Sequence, residues 1–186
     1  MLKLVILDMD GTLFDTTDVN YYSYKEAIAE YGYDVDHDFY KNEINGKHYK
    51  EFLPLFATDD PELMEIIHDK KKELYPKHLN KARLNEGLIQ TVRALRKTGV
   101  MAALVTNASK KNVFDIVECF GLTKDFDLII TQEDISKPKP DPESFIMAME
   151  HFGVKREETI IYEDSGVGLE AAKRSGAEYC QVYGYR

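Results

Sequence analysis

The chain has 186 residues, 44% hydrophobic and 31% charged, with a formal net charge of −9. That length buries a full core and leaves room for a sizeable insertion, while an acidic balance without clustered Lys and Arg excludes a nucleic-acid surface. No apolar run is long enough for a membrane span, and the N-terminal one is too short for a signal peptide, so a cytoplasmic protein is expected, with Cys119 and Cys180 as buried thiols in a reducing compartment.

Leu4-Val5-Ile6-Leu7 has the pattern of a strand buried on both faces, and it ends in Asp8-Met9-Asp10-Gly11-Thr12. Two acids so close together repel, which implies a cation, most simply a divalent metal with oxygen ligands. Gly11 lets the backbone turn and aim amides at an anion. The segment from Thr16 to Lys97 then intervenes where one helix would suffice for a strand-helix-strand unit. Thr16 or Thr17 starts a helix running to Tyr31 and stopped by Gly32. Further helical stretches fit residues 37–44, 48–56 and 61–78, with Pro76 set against the last turn. Tyr21, Tyr22 and Tyr24 read as packing, and Lys70-Lys71-Lys72 as a solvated helix face. The histidines show no metal-ligand spacing. Asn85 to Thr98, ended by Gly99, is the sheet's own helix. The expected division is an α/β core at 1–15 and 83–186 with a helical cap at 16–82, hinged just after the acid pair and able to close as a lid.

Strand-like runs return at 100–105, 127–131, 159–162 and 179–183, with Gly184-Tyr185-Arg186 closing the chain soon after. Between them lie helical patterns: Lys110 to Phe120 after Ser109, Pro142 to Phe152 after Asp141, and Gly166 to Ser175 between Ser165 and Gly176. This alternation predicts a doubly wound parallel sheet, which binds ligands beyond the carboxyl ends of its strands. Thr106-Asn107-Ala108-Ser109 follows the second strand, before a helix N-terminus suited to phosphate. Ser136-Lys137-Pro138-Lys139-Pro140-Asp141 follows the third, and Glu163-Asp164-Ser165-Gly166 the fourth. The expected cluster is Asp8, Asp10, Thr106, Lys137, Glu163 and Asp164, the mix for a Mg²⁺ site facing a phosphate.

These four segments, in this order, resemble the motifs of the haloacid dehalogenase-like superfamily, in its branch of phosphatases and phosphomutases with a small helical cap. Asp8-Met9-Asp10-Gly11-Thr12 is similar to the first motif, Thr106 with Asn107 to the second, and Lys137-Pro138-Lys139-Pro140-Asp141 to the third. Glu163-Asp164-Ser165 with Gly168 and Ala171-Ala172 is similar to the fourth. The resemblance implies a Rossmann-like core with an inserted helical cap and a Mg²⁺-dependent phosphatase. In that scheme Asp8 attacks phosphorus to form an aspartyl-phosphate, and Asp10 serves as acid and then base. Asp8, the Asp10 carbonyl and Asp164 hold Mg²⁺, and Thr106, Asn107 and Lys137 bind phosphate. Glu163 orients the metal's water shell or pairs with Lys137. The family's cap loop makes Lys47 and His48, after Gly46, candidates for substrate contact, and Asp15 matches a position near the cap hinge.

Two alternatives are weighed against the phosphatase. β-Phosphoglucomutases resemble the whole core, but their cap loop carries an arginine that grips a second phosphate. Here the matching place holds Tyr49, and no arginine lies between Asp15 and Ala82. A receiver-like signalling module would carry its acceptor acid at the third strand, which instead ends in Ile129-Ile130-Thr131. The expected partner is a small phosphorylated metabolite, with no nucleic acid and no membrane, for a monomer or weak homodimer.

Overall fold

The computed structural model describes residues 1–183; Gly184, Tyr185 and Arg186 lie outside the described residues. In chain order the elements open with β1 (Leu4–Leu7), β2 (Phe14–Asp15), α1 (Thr17–Ala29), α2 (His37–Phe39), α3 (Tyr49–Phe52), α4 (Pro61–Leu74), β3 (Arg83–Leu84) and α5 (Glu86–Arg96). They continue with β4 (Met101–Val105), α6 (Lys110–Cys119), β5 (Leu128–Ile130), α7 (Glu143–Phe152), β6 (Thr159–Glu163), α8 (Gly166–Ser175) and β7 (Glu178–Gln181). The chain divides into two compact units: Met1–Asp15 with everything from Arg83 onward, and Thr16–Ala82.

The first unit is a five-stranded sheet of order β5-β4-β1-β6-β7, parallel throughout. β1 is its centre, and all its residues are buried, as an unbroken apolar run requires. Alternation along the strands sends Leu4, Ile6, Ala103, Val105 and Ile161 to one face, where they pack with Phe145 and Ala148 of α7 and Ala171 and Ala172 of α8. α5 buries Leu88, Ile89 and Val92, and α6 buries Val113, Ile116 and Val117. The caps follow local chemistry. Asn85 accepts the Leu88 amide at the start of α5; Ser165 accepts that of Gly168 at the start of α8, which Gly176 closes in the left-handed region.

Three local expectations are corrected here. Pro142 stands at the cap of α7 and not inside its first turn, and Asp141 Oδ1 takes the Glu143 amide. Ser109 has the extended backbone of a cap, but the first amide of α6, that of Lys110, goes to the Glu133 carboxylate at 2.7 Å. Cys119 and Cys180 are exposed, one at the last turn of α6 and the other on β7, the edge strand, whose residues are all exposed.

A two-stranded antiparallel ribbon, β2 with β3, stands where the chain leaves and re-enters this unit, and Arg83 pairs with Asp15 across it.

The second unit is helical. Its core gathers Tyr21, Tyr24, Ala27 and Ile28 of α1, Tyr49 and Phe52 of α3, and Met64 and Ile67 of α4. Tyr21 and Tyr24 pack inward, while Tyr22 is exposed. The stretch read as one helix over 61–78 stops at Leu74 and tightens into a 3₁₀ run, Tyr75–Lys81, with Pro76 in its first turn. The solvated reading of Lys71 is also corrected: it is buried, its ammonium over the rings of Tyr24 and Tyr75. His68 stacks on Tyr49, with centroids 3.9 Å apart, and takes the Tyr24 hydroxyl at 2.7 Å. Burial, with help from the nearby lysines, lowers its pKa to about 3, so the ring stays neutral.

Among the described residues no helix is long and apolar enough to cross a membrane.

Candidate active site

Strand register builds the site. Leu7 pairs with Leu104 on one side and Tyr162 on the other, so the next residues, Asp8, Val105 and Glu163, stand level at the carboxyl edge. The Asp8 amide bonds the Tyr162 carbonyl at 3.0 Å, holding that level. Asp164 and Thr106 follow one residue further out. Beyond Asp8 the chain turns tightly: Leu13 and Phe14 amides return to the Met9 carbonyl, and the Gly11 amide to that of Phe14.

Two glycines make room for the acids. Gly11 has φ of +88°, which disfavours any side chain, and a Cβ there would lie 2.1 Å from Asp164 Oδ2. Gly168, in the first turn of α8, is demanded by space alone: a Cβ would lie 2.0 Å from the Glu163 carboxyl carbon.

The lysine that reaches this cluster is Lys139, which corrects the assignment of Lys137. Lys137 is exposed on the loop before α7, whereas Lys139 is buried. Its ammonium lies 2.7 Å from Asp8 Oδ1, 2.7 Å from Glu163 Oε2 and 3.0 Å from the Val105 carbonyl, using all three donors. Glu163 Oε1 accepts the amides of Asp164 and Ser165 and the Ser165 hydroxyl. Both oxygens of Glu163 are therefore engaged within the protein, and its partner is Lys139.

The electrostatics follow. Burial raises Asp8 well above the usual carboxylate range; Lys139 opposes that rise, and the charges of Glu163 and Asp10 add to it. Asp164 rises to about 6, through burial first and then the charges of Glu163 and Asp10, against the hydrogen bond from Thr12. For Lys139 burial works downward, but Asp8 and Glu163 outweigh it and the ammonium is held charged. The Lys139 ammonium bonds two of these carboxylates, Asp8 and Glu163, while Asp164 bears the charges of Glu163 and Asp10, a crowding of negative charge that a cation would relieve.

The donor set fits a hard divalent ion. Asp8, Glu163 and Asp164 offer carboxylate oxygens within 4.8 Å of one another. Glu163 is committed to Lys139 and Ser165, which leaves Asp8 and Asp164 as the two side chains suited to a metal. Lys139 takes Asp8 Oδ1 and Thr12 takes Asp164 Oδ1, at 2.9 Å, so each keeps an oxygen that these bonds do not use. The Asp10 side chain lies outside that trio, half-buried, yet close enough for its charge to act on Asp8 and Asp164.

Thr106 is buried, and its Oγ1 accepts the Ala108 amide at 3.0 Å, so its own proton remains to be donated. The Asn107 side chain is engaged with the Lys139 backbone. Lys47 and His48 belong to the helical unit; both are exposed, and His48 caps α3 by accepting the Lys50 amide. Sequence reasoning missed Lys139 and Thr12. A signal for Thr12 existed, a hydroxyl next to a glycine in the first loop; nothing distinguished Lys139 from Lys137, two residues away in the same proline-flanked segment.

Residues 5–182 match the family model of haloacid dehalogenase-like hydrolases. The chain belongs to that family. This haloacid dehalogenase-like hydrolase is similar to a phosphorylated carbohydrates phosphatase of Thermotoga maritima, 28% identical over 189 residues that cover 98% of this chain and 85% of that protein. It is similar to a phosphoglycolate phosphatase of Thiobacillus denitrificans, 27% identical over 193 residues covering 99% of this chain and 85% of the relative. Among solved structures, CbbY from Rhodobacter sphaeroides in complex with phosphate matches with a TM-score of 0.85 and 25% identity, over 100% of this chain and 88% of that one. The doubly wound sheet with its helical insertion is the fold of these hydrolases, and the chain is an enzyme of this family.

Proposed function

We propose that this haloacid dehalogenase-like phosphatase hydrolyses the monoester of a small phosphorylated metabolite through a phosphoryl group carried on Asp8. The observation that carries the reading is the contact of Asp8 with Lys139 at the carboxyl edge of the central strand, beside the carboxylates of Glu163 and Asp164. The relatives' names, phosphatases of phosphorylated carbohydrates and of phosphoglycolate, point to the same substrate class.

Asp8 is the nucleophile, and Lys139 favours its ionised form despite burial. Asp10 donates a proton to the leaving oxygen and then takes one from the attacking water. The Thr106 hydroxyl and the Lys139 ammonium, with backbone amides near Met9 and Asn107, hold the phosphoryl oxygens as charge builds on them. Glu163 keeps Lys139 in place. Asp8, the Asp10 carbonyl and Asp164 would hold Mg²⁺, which when bound would supply positive charge against the phosphoryl oxygens.

The mutase alternative loses support in the helical unit. Tyr49, at the place of the phosphate-gripping arginine, is buried and stacked on His68. A receiver would accept phosphate once, whereas a phosphatase turns over. Multiple-turnover phosphate release from an aryl phosphate and a panel of phosphorylated metabolites is expected, requiring Mg²⁺, abolished by EDTA and lost in Asp8→Asn. A single stoichiometric burst without turnover, or an Asp8→Asn variant with the native rate, would contradict the reading.

A further inference from the structure

Asn107 sits one residue past Thr106, where its side chain could face either the phosphate or the protein. It faces the protein: its Oδ1 accepts the Lys139 amide at 3.1 Å, and its Nδ2 donates to the Lys139 carbonyl at 3.4 Å. A primary amide thus pairs both ways with the main chain of one residue, across a sequence separation of 32. The ammonium of that same residue returns to the Val105 carbonyl, the last residue of β4. Lys139 is therefore tied to the end of one strand at its amide, its carbonyl and its head. On the other flank Arg174 takes the Pro140 carbonyl at 2.8 Å.

A lysine has four rotatable side-chain bonds and no fixed reach of its own; where its head lands depends on where its backbone is held. Only a side chain with an adjacent donor and acceptor makes this two-way pairing. Asp has no donor, Ala has neither, and Gln is one methylene longer. We propose that Asn107 is a positioning residue that acts through Lys139, fixing its main chain so that the ammonium spans Asp8 and Glu163, and that its side chain does not itself grip the phosphate. The inference rests on the role given to Lys139 under the proposed function.

A double-mutant cycle tests it, with Asn107→Ala, Lys139→Met and the pair, read as kcat and KM for p-nitrophenyl phosphate with Mg²⁺ and as the inhibition constant for inorganic phosphate. Asn107→Ala alone should lower kcat by about ten- to a hundredfold, the scale of a misplaced catalytic group. In the Lys139→Met background the same change should cost less than about twofold, because the group it positions is gone. Equal factors in both backgrounds would overturn the proposal, since a direct phosphate contact or a general structural loss acts independently of Lys139. Should Lys139→Met fail to fold, the ¹⁵Nζ resonance of Lys139 serves instead. It should be protected in the native protein, and shifted or broadened in Asn107→Ala while backbone amides elsewhere keep their positions. An unmoved resonance would overturn the proposal. A native protein without phosphatase turnover would sink the proposed function alone, because the resonance still reports whether Asn107 holds Lys139.

Discussion

Two lysines are buried to the same degree in this chain, each 6% exposed, in different surroundings. In the α/β unit Lys139 has Asp8 and Glu163 each 2.7 Å from its ammonium, which also lies 4.8 Å from the Phe145 ring centroid. In the helical unit Lys71 lies over aromatic faces, 5.4 Å from the Tyr24 ring centroid and 4.7 Å from that of Tyr75. A desolvated ion pair depends on each partner, and removing one leaves the others buried without compensation. A cation over rings exchanges more readily for an apolar chain of similar length, because much of its burial is packing of the stem.

Substitution breaks the comparison most sharply at Lys139. Lys139→Ala should lower kcat by about a hundred- to a thousandfold and reduce unfolding free energy by about 3 kcal/mol. Lys137→Ala, two residues away and exposed, should leave the rate intact and change stability by less than about 0.5 kcal/mol. Initial rates and urea unfolding of both variants check the pair; equal effects would erase the distinction between the two lysines.

Metal addition sharpens the charge argument. Burial raises the Asp164 carboxyl from 3.8 to about 6, so in the metal-free protein its contribution to stability is full below the unfolded value and is lost as pH rises through 6. A cation reverses that preference by favouring the ionised form. Mg²⁺ at about a hundred times its Kd should stabilise the protein by about 2.7 kcal/mol at pH about 8, with a much smaller rise in Tm at pH about 5. Thermal unfolding with and without Mg²⁺ reads this, and a rise independent of pH would contradict it.

The glycine cradles come next. Gly11→Ala forces a methyl group into the Asp164 carboxylate, and Gly168→Ala into that of Glu163. Each should cost about 1–3 kcal/mol through overpacking. Gly11→Ala should also weaken Mg²⁺ activation, which a titration of rate against Mg²⁺ measures. The smallest effect belongs to the helical unit. Lys71→Met should cost about 1–2 kcal/mol through its ring contacts, read by urea unfolding.

The acids were legible in the sequence because strand ends are. An apolar run stopping at Asp8, and another stopping at Glu163-Asp164, place carboxylates at one edge of a parallel sheet whatever the details of packing. The choice between Lys137 and Lys139 was not legible. Both lie in one proline-rich loop, and the selection is made by Asn107, a partner of Lys139 32 residues away in sequence. The burial of Lys71 was hidden for a related reason. A run of three lysines reads as solvent-facing, yet the middle one falls on the side of α4 that also buries Met64 and Ile67. The cysteines failed the other way: apolar neighbours suggested burial, but Cys180 lies on an edge strand and Cys119 at a helix end, where position outweighs composition.

The central claim is that Asp8 carries the phosphoryl group. Enzyme quenched in acid during turnover and digested for mass spectrometry tests it most directly. A phosphoryl adduct on the peptide containing Asp8, labile to hydroxylamine and absent from Asp8→Asn, is the expected result. An adduct on another residue, or steady turnover by Asp8→Asn, would contradict it.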